Sequence, residues 1–574
     1  TASAIQVITG EEIRRSGATT LPEALRLASN LFVAQSNAHD WAITARGFNG
    51  APLSNNTLAD KLLVLIDGRT VYTPLFGGVF WDVQNVLLED VDRIEVISGP
   101  GGALWGANAV NGVINVVTKS ATESQGMYVA ATGGSLVHDV GEIRYGGKAG
   151  SNLSYRVYGL RTDRNSTDLP AGNDANDAWD ITQGGFRMDY AASEQNALTL
   201  QGDVYKGNEG IPVATRLDGQ NMLGRWTRTF SDQSDLQVQM YFDRTWRQLP
   251  SSTFRDHLQT YDADVQQRFP LGARNDMVVG AGYRVMQDNV HNSVPLSINP
   301  EQRTLQLFNG FIQDEVALVP GRWQLTLGTK FEHNDYSGAE WEPSVRMAWT
   351  PPGRQTVWGA VSRSVRSPSR FDVDISTPGI GGDSTFDAEA VVAYELGYRV
   401  QPTDKVSLSI ATFYNQYTDL RSINLNPVPP PPLIVANDQR GDSRGIELSG
   451  NLQVTEWWHL RGGYTYFTKQ LRPTTATVVS GSAEFEGDDP NNQTLLQSIM
   501  DLPANLQCDV VARHVGTLPS PAVPAYTSAD VRLGWHHRAL ELSVVGQNLL
   551  APRHAEFTSL EIPRSVYGKI AVRW

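Results

Sequence analysis

From about residue 125 to Trp574 the chain repeats one pattern. A run of roughly 8–15 residues alternates apolar and polar positions and is closed by Gly, Pro, Asn or Asp. Val406, Leu408 and Ile410 alternate with Ser407, Ser409 and Ala411; Trp323, Leu325 and Leu327 alternate with Arg322, Gln324 and Thr326. Successive side chains of a strand point to opposite faces, so each run has one greasy and one wet face. Such runs predict strands at 126–135, 141–150, 153–163, 181–192, 196–207, 222–231, 234–248, 257–270, 274–288, 303–319 and 321–335. They continue at 340–351, 354–367, 387–401, 405–422, 441–454, 457–469, 493–500, 504–515, 526–536, 540–550 and 564–574, giving twenty-two, an even number. The connections sort by length. Those at 164–180, 208–221, 289–302, 368–386, 423–440 and 470–492 are long, whereas Pro320, Pro402–Asp404 and Thr455–Glu456 are tight turns. Long and short connections alternating around an even set of antiparallel strands describe a transmembrane β-barrel of the outer-membrane type, with long loops outside and short turns in the periplasm. A soluble sandwich has no reason to sort its loops this way, and its strands are shorter.

Composition agrees by what it excludes. No run approaches the roughly 18 apolar residues of a membrane helix, whereas alternating strands average to an unremarkable mean hydropathy of −0.30. A net charge of −14 disfavours nucleic acid as a partner. One cysteine, Cys508, rules out an internal disulfide and a CxxC metal site. The sequence begins at Thr1 without Met or an apolar leader, which is compatible with removal of a secretory signal.

Residues 1–120 are written differently. Thr9-Gly-Glu-Glu-Ile followed by Arg14 and Arg15 predicts a short helix with acids early and bases late, and Leu21-Pro22-Glu23 begins a second. Short β runs follow at Ile43–Arg46, Leu62–Ile66, Arg93–Ile97 and Val113–Thr118. The glycine-rich stretch 97–119, ISGPGGALWGANAVNGVINVVTK, invites a nucleotide-cradle reading and fails it. Leu104 stands where a dinucleotide fingerprint needs its third glycine, and Ala107-Asn108 follow Gly106 where a P-loop needs Lys and Ser/Thr. These glycines instead predict positive φ and close backbone approach. A barrel of twenty-two strands encloses a lumen too wide for its own side chains to fill. The expected division is therefore an α+β plug at 1–120 inside a barrel at 125–574.

The residues resemble those of a TonB-dependent outer-membrane transporter. In the N-terminal part the resemblance is carried by ITGEEIRRSGATTLPEALRLASN, ITARGF, LLVLIDGR and VDRIEVISGPGGALWGANAVNGVINVVTK; in the barrel by SRSVRSPSRF, YELGYR, FYNQYTDLRS, RGIEL, GQNLL and the closing VYGKIAVRW. The terminal Trp574 matches the usual end of such barrels. The resemblance implies active import of a scarce, bulky solute, most often a ferric siderophore, with no bond made or broken in the cargo; the chain is then no enzyme and needs no cofactor. It further implies a monomer in the outer membrane of a Gram-negative bacterium, in contact with lipid and lipopolysaccharide, pulled by the TonB complex through a segment N-terminal to Thr1. A plug arginine at Arg46 is expected to pair with barrel carboxylates at Glu395 and Glu447. The alternation independently puts Glu395 opposite Tyr394 and Leu396, and Glu447 opposite Ile446 and Leu448, on the wet face. Family plugs carry a second arginine where this chain has Ser98, so Arg69 or Arg93 is expected to substitute, because an unpaired buried carboxylate is costly.

Cargo is expected at the plug's outward turns, near Ser36–Trp41, Asn49–Ala59 and Thr73–Trp81. His39, Trp41, Tyr72, Phe76, Phe80 and Trp81 are the candidate contacts, since rings and a few polar groups suit a mostly planar chelate. No metal site is expected, because His39 lacks partners at ligand spacing. His536-His537 is expected in a solvated periplasmic turn. The loops carrying Asp168, Asp174, Asp177, Asp180, Glu484, Glu486, Asp488 and Asp489 read as solvated acidic runs, as ion-bridged lipopolysaccharide contacts, or as a preference for cationic or neutral cargo. Cobalamin, haem or another metal chelate is the alternative cargo. Ser364–Pro368 resembles a haem receptor's FRAP motif only loosely and no NPNL motif is present. A passive porin is the alternative of a different class, and it has no use for residues 1–120.

Overall fold

The computed structural model describes residues 3–49, 59–210, 215–249, 253–479 and 486–574. Twenty-two long antiparallel strands, from Gly126–Gly134 to Ser565–Arg573, close into one barrel. Closure is direct: Arg573 pairs with Tyr128 and Tyr567 with Gly134, so the last strand hydrogen-bonds to the first and no edge is left. Each of the twenty-two strands has its counterpart among the predicted runs. The largest difference is in Leu433–Thr455, which starts eight residues earlier than 441–454 and climbs well above any bilayer. The alternation there is broken by Asp438, Arg440 and Asp442, polar residues for a segment that stands in water.

The two faces sort as the pattern requires. Leu396, Leu533 and Val544 point outward, more than half exposed, and meet lipid. Their strand neighbours Glu395, Arg532 and Val545 point inward and are buried. Aromatic pairs mark the belt ends, with Trp323 stacked on Trp349 beside the periplasmic turns and Phe331 tilted against Trp341 beside the outer loops. His536 and His537 lie exposed at the periplasmic end.

Inside sits a five-stranded sheet in the order Ala4–Thr9, Val91–Ser98, Gly112–Thr118, Leu62–Ile66, Arg69–Thr70. Within this sheet Leu62–Ile66 and Gly112–Thr118 run parallel, and the other neighbours run antiparallel. The first helix, Gly10–Ser16, is fixed by a capping box: Thr9 Oγ1 accepts from the Glu12 N–H (3.2 Å) and Glu12 Oε2 from the Thr9 N–H (2.7 Å). The second, Leu21–Leu25, has its proline in the first turn. Their apolar faces and the sheet bury one core, including Ile8, Ile13, Leu25, Val64, Ile94 and Ile114, which reaches the wall at Leu495 and Val511.

Candidate functional site

The glycine-rich stretch is where the inner domain meets the wall. Gly99 has φ +91°, and a Cβ there would stand 2.4 Å from Glu395 Oε1. A Cβ on Gly102 would stand 2.0 Å from Glu342 Oε2. Backbone amides use the space that the missing side chains leave: the Gly102 N–H donates to Ser364 Oγ (2.9 Å) and the Ala107 N–H to Glu332 Oε2 (3.1 Å). The glycines permit close docking on lumen-facing polar groups, a demand of packing rather than of phosphate.

Arg46, Glu395 and Glu447 lie together and buried. Arg46 Nη2 is 2.9 Å from Glu395 Oε1, its Nε is 3.0 Å from Glu447 Oε1, and the guanidinium lies 4.1 Å from the centroid of the Phe413 ring. The second base is neither Arg69 nor Arg93, which corrects the expectation. Arg69 pairs with Asp243, and Arg93 with Asp92 and Glu95, each at 2.7 Å. The wall supplies the base instead: Arg346 reaches Glu395 (4.0 Å) and donates to the Pro100 carbonyl (2.8 Å). Ser98, where family plugs carry arginine, accepts a hydrogen bond from Asn30 Nδ2 (2.7 Å).

The six candidate cargo contacts do not form one open surface. His39, Trp41 and Trp81 are at most 8 % exposed. Outer segments cover them, since the Ala38 N–H donates to Asp177 (2.9 Å) and Thr558 Oγ1 to the Ser36 carbonyl (2.7 Å). His39 Nδ1 lies 3.2 Å from Asp40 and 3.5 Å from Glu209. Burial alone pushes this imidazole down, but the Asp40 and Glu209 carboxylates outweigh it and raise its pKa to about 10. It is a charged link from plug to wall. Phe76 and Phe80 meet edge to face at 4.8 Å, and Arg247 sits 3.6 Å over the Phe80 ring. Tyr72 borders a cavity of about 380 Å³ between the plug and the wall, lined also by Pro74, Arg284, Lys330 and Tyr336. With Phe80 it borders a second cavity of about 100 Å³. Most of the turn at Asn49–Ala59 lies outside the described residues.

A short helix from an outer loop, Arg370–Asp374, caps the apex. Its Arg370 and Phe371 N–H groups donate to the Pro74 and Leu75 carbonyls, each at 2.8 Å, and Phe371 joins Leu75, Phe254 and Ile298 in an apolar cluster. Beneath it lies a buried ion network absent from the sequence-based site. Lys61 holds Asp60 (3.0 Å) and Glu389 (2.8 Å); Arg366 holds Glu389 (2.9 Å) and Asp372 (2.8 Å); Arg421 holds Asp372 (3.2 Å) and Asp60. Burial pushes the Asp372 carboxyl up, but Arg366 and Arg421 keep it below the usual carboxylate range. Plug, wall and loop are thereby joined through one set of charges. The signal was partly visible: Arg366 and Arg370 both belong to SRSVRSPSRF.

The acidic loops also need correction. Asp488 and Asp489 are buried and hold Lys469, and Asp489 accepts from the Phe48 N–H (2.7 Å) and from Asn49 Nδ2 (2.6 Å). Asp177 is buried against Thr167 and Ala38. These are plug contacts, not solvated charges. Asp174 and Glu486 are exposed, Asp168 and Asp180 are half-buried, and Glu484 lies outside the described residues.

A family model described as "TonB dependent receptor-like, beta-barrel" matches residues 128–549, and one described as "TonB-dependent Receptor Plug Domain" matches residues 1–113. The chain is 23% identical over 412 residues to the iron-regulated outer membrane virulence protein of Vibrio cholerae, covering 66% of this chain and 62% of that protein. It is 32% identical over 190 residues to the vitamin B12 transporter BtuB of Vibrio cholerae, covering 33% and 29%. A variant of the ferric enterobactin receptor of Pseudomonas aeruginosa, solved with enterobactin, shares the fold with a TM-score of 0.82, 16% identity and full coverage of both chains.

Proposed function

We propose, from the premise that this chain belongs to the TonB-dependent receptor family, that it imports a ferric siderophore across the membrane it spans. It is a protein of the outer membrane of a Gram-negative bacterium and not an enzyme. We take residues 1–120 as the plug, 125–574 as the barrel, and a segment N-terminal to Thr1 as the contact for TonB. The supporting observation is the filled lumen: the plug is tied to the wall by buried ion pairs such as Arg46–Glu395, and an outer-loop helix closes over its apex. Passage of a bulky solute past such a seal needs an external pull. Among the described residues, the first strand, Ala4–Thr9, is an edge of the plug sheet, paired with Val91–Ser98 alone. Traction on it loads that pairing first.

In this reading cargo contacts the outer loops and displaces the Arg370–Asp374 helix, reaching Tyr72, Phe76 and Phe80, while His39, Trp41 and Trp81 support the apex from below. A second reading, cobalamin as cargo, is favoured by the 32% identity to the vitamin B12 transporter over a third of the chain. The test is uptake of radioactive iron, supplied as siderophore complexes, by iron-starved cells producing the full-length protein, with and without TonB. Uptake that disappears with TonB is the expected result. TonB-independent uptake, or an open-pore conductance in planar bilayers, overturns the proposal.

A further inference from the structure

We infer that cargo crosses the lumen on one side of the plug, between the plug turn Asp67–Thr70 and the wall strands from Asn196–Glu209 to Gln302–Val319, and that this turn is the gate of the route; this deepens, and rests on, the import reading above. The plug is not sealed evenly. Its core runs into Leu495 and Val511, Leu87 packs with Tyr128 and Ala571, and Ala4 packs with Trp358 and Ala411. Among the described residues, none of the wall strands that carry these groups borders either of the two cavities. A protein interior leaves few voids larger than a water molecule. Cavities of about 380 and 100 Å³ therefore mark the side on which plug and wall stand apart.

One turn stands between the cavities, since Asp67, Thr70 and Tyr72 border both. The two-residue strand Arg69–Thr70 is the opposite edge of the plug sheet from Ala4–Thr9 and pairs with Leu65 and Ile66. The turn is tied to the wall by polar groups. Arg69 pairs with Asp243, Arg284 Nη2 donates to Thr70 Oγ1 (3.2 Å), Gln239 Nε2 to the Gly68 carbonyl (3.1 Å), and Gln201 Nε2 to Asp67 Oδ2 (2.9 Å). The Arg69 and Asp243 side chains keep 12 % and 17 % of their surface exposed, against 0 % and 1 % for Arg46 and Glu395. Ties beside a polar cavity are exchanged for water as they break, whereas a buried pair leaves uncompensated charge, so this turn yields before the rest of the seal. Its withdrawal joins the cavities into one passage. That passage runs from Pro74 and Tyr336, whose hydroxyl donates to Asp374 of the cap (3.1 Å), to Thr118 at the end of the last plug strand.

The test uses the full-length protein in cells, with Cys508→Ser as background so that only introduced thiols react. Arg69→Cys with Asp243→Cys is joined by a short, reducible bis-methanethiosulfonate linker, which locks the gate. Glu89→Cys with Arg573→Cys, in place of an ion pair (2.8 Å) on a wall strand that borders neither cavity, is the matched lock elsewhere. The probes are radioactive iron as a ferric tris-hydroxamate and as a ferric tris-catecholate, and radioactive cobalamin. Locking the gate is expected to lower uptake of a transported probe at least tenfold, and reduction of the linker to restore it, while the other lock leaves at least half. Unchanged uptake with the gate locked, or equal loss with both locks, overturns the route and leaves import standing, because the unlinked proteins still transport. Absence of uptake of every probe by the Cys508→Ser protein overturns the import reading and the route with it. Asp243→Asn, which keeps the shape and removes the ion pair, gives a second readout that needs no cargo. Hydrogen exchange across Asp67–Thr70 is expected to accelerate at least tenfold while Val91–Ser98 stays protected. No acceleration, or equal acceleration in both, overturns the role of this pair as the latch.

Discussion

Arg46 shows what a single buried charge does in this molecule. Its guanidinium is shared between two wall glutamates that the barrel cannot expose to lipid. Arg46→Ala leaves both carboxylates buried beside only the more distant Arg346, and loss of one partner of such a cluster costs about 3–5 kcal/mol. The expected result is a plug that is digested by protease at lower denaturant concentration than the native one, with the barrel unaffected. His39 gives a prediction in pH. Its folded pKa, about 10, lies above the ordinary value of 6.5, so its contribution to stability is complete below pH 6.5 and is lost as pH rises through about 10. His39→Gln should therefore lower the melting temperature at pH 6–7, and the difference from wild type should shrink towards pH 10. A difference constant across that range removes the charged link to Asp40 and Glu209.

At the scale of elements, the helix Arg370–Asp374 is too short to persist alone and is held by its surroundings. Ser369 and Asp372 form its capping box, Asp372 is clamped by Arg366 and Arg421, and the first amides rest on plug carbonyls. Asp372→Asn removes the charge on which both arginines converge. Hydrogen exchange at the Arg370 and Phe371 amides is expected to accelerate at least tenfold, while amides of the wall strand Glu389–Thr403 stay protected. Equal acceleration in both places would mean that the barrel, not the cap, depends on this residue. Such local opening is the motion the cap needs if cargo is to reach the plug.

For the whole molecule, the wall and the seal are separable by design. The ladder that closes the barrel runs from wall strand to wall strand, including the closing pair, so the cylinder does not need the plug to complete it. Removal of residues 1–120 is expected to leave a barrel that inserts into bilayers and conducts as a large open pore, whereas the full chain conducts little. A silent barrel after plug removal would show that the outer loops alone close the lumen.

The wall was legible because a lipid bilayer imposes one rule on every strand: apolar outward, polar inward. The runs at 387–401 and 441–454 therefore announced both their strands and the inward direction of Glu395 and Glu447. Connection lengths announced which end faces out, and the width implied by twenty-two strands announced a plug. The apex was not legible. Whether Trp41 and Trp81 are open or covered depends on where loops 165–178 and 553–563 come to rest, and no local pattern records that. The same holds for Arg346 supplying the base at Glu395, for Asp489 reaching back to Phe48, and for Asp60 meeting Arg366 and Arg421 across some three hundred residues of chain. Periodicity records a residue's relation to its solvent. Pairing between distant charges is fixed only when the closed barrel brings its inner wall against the plug.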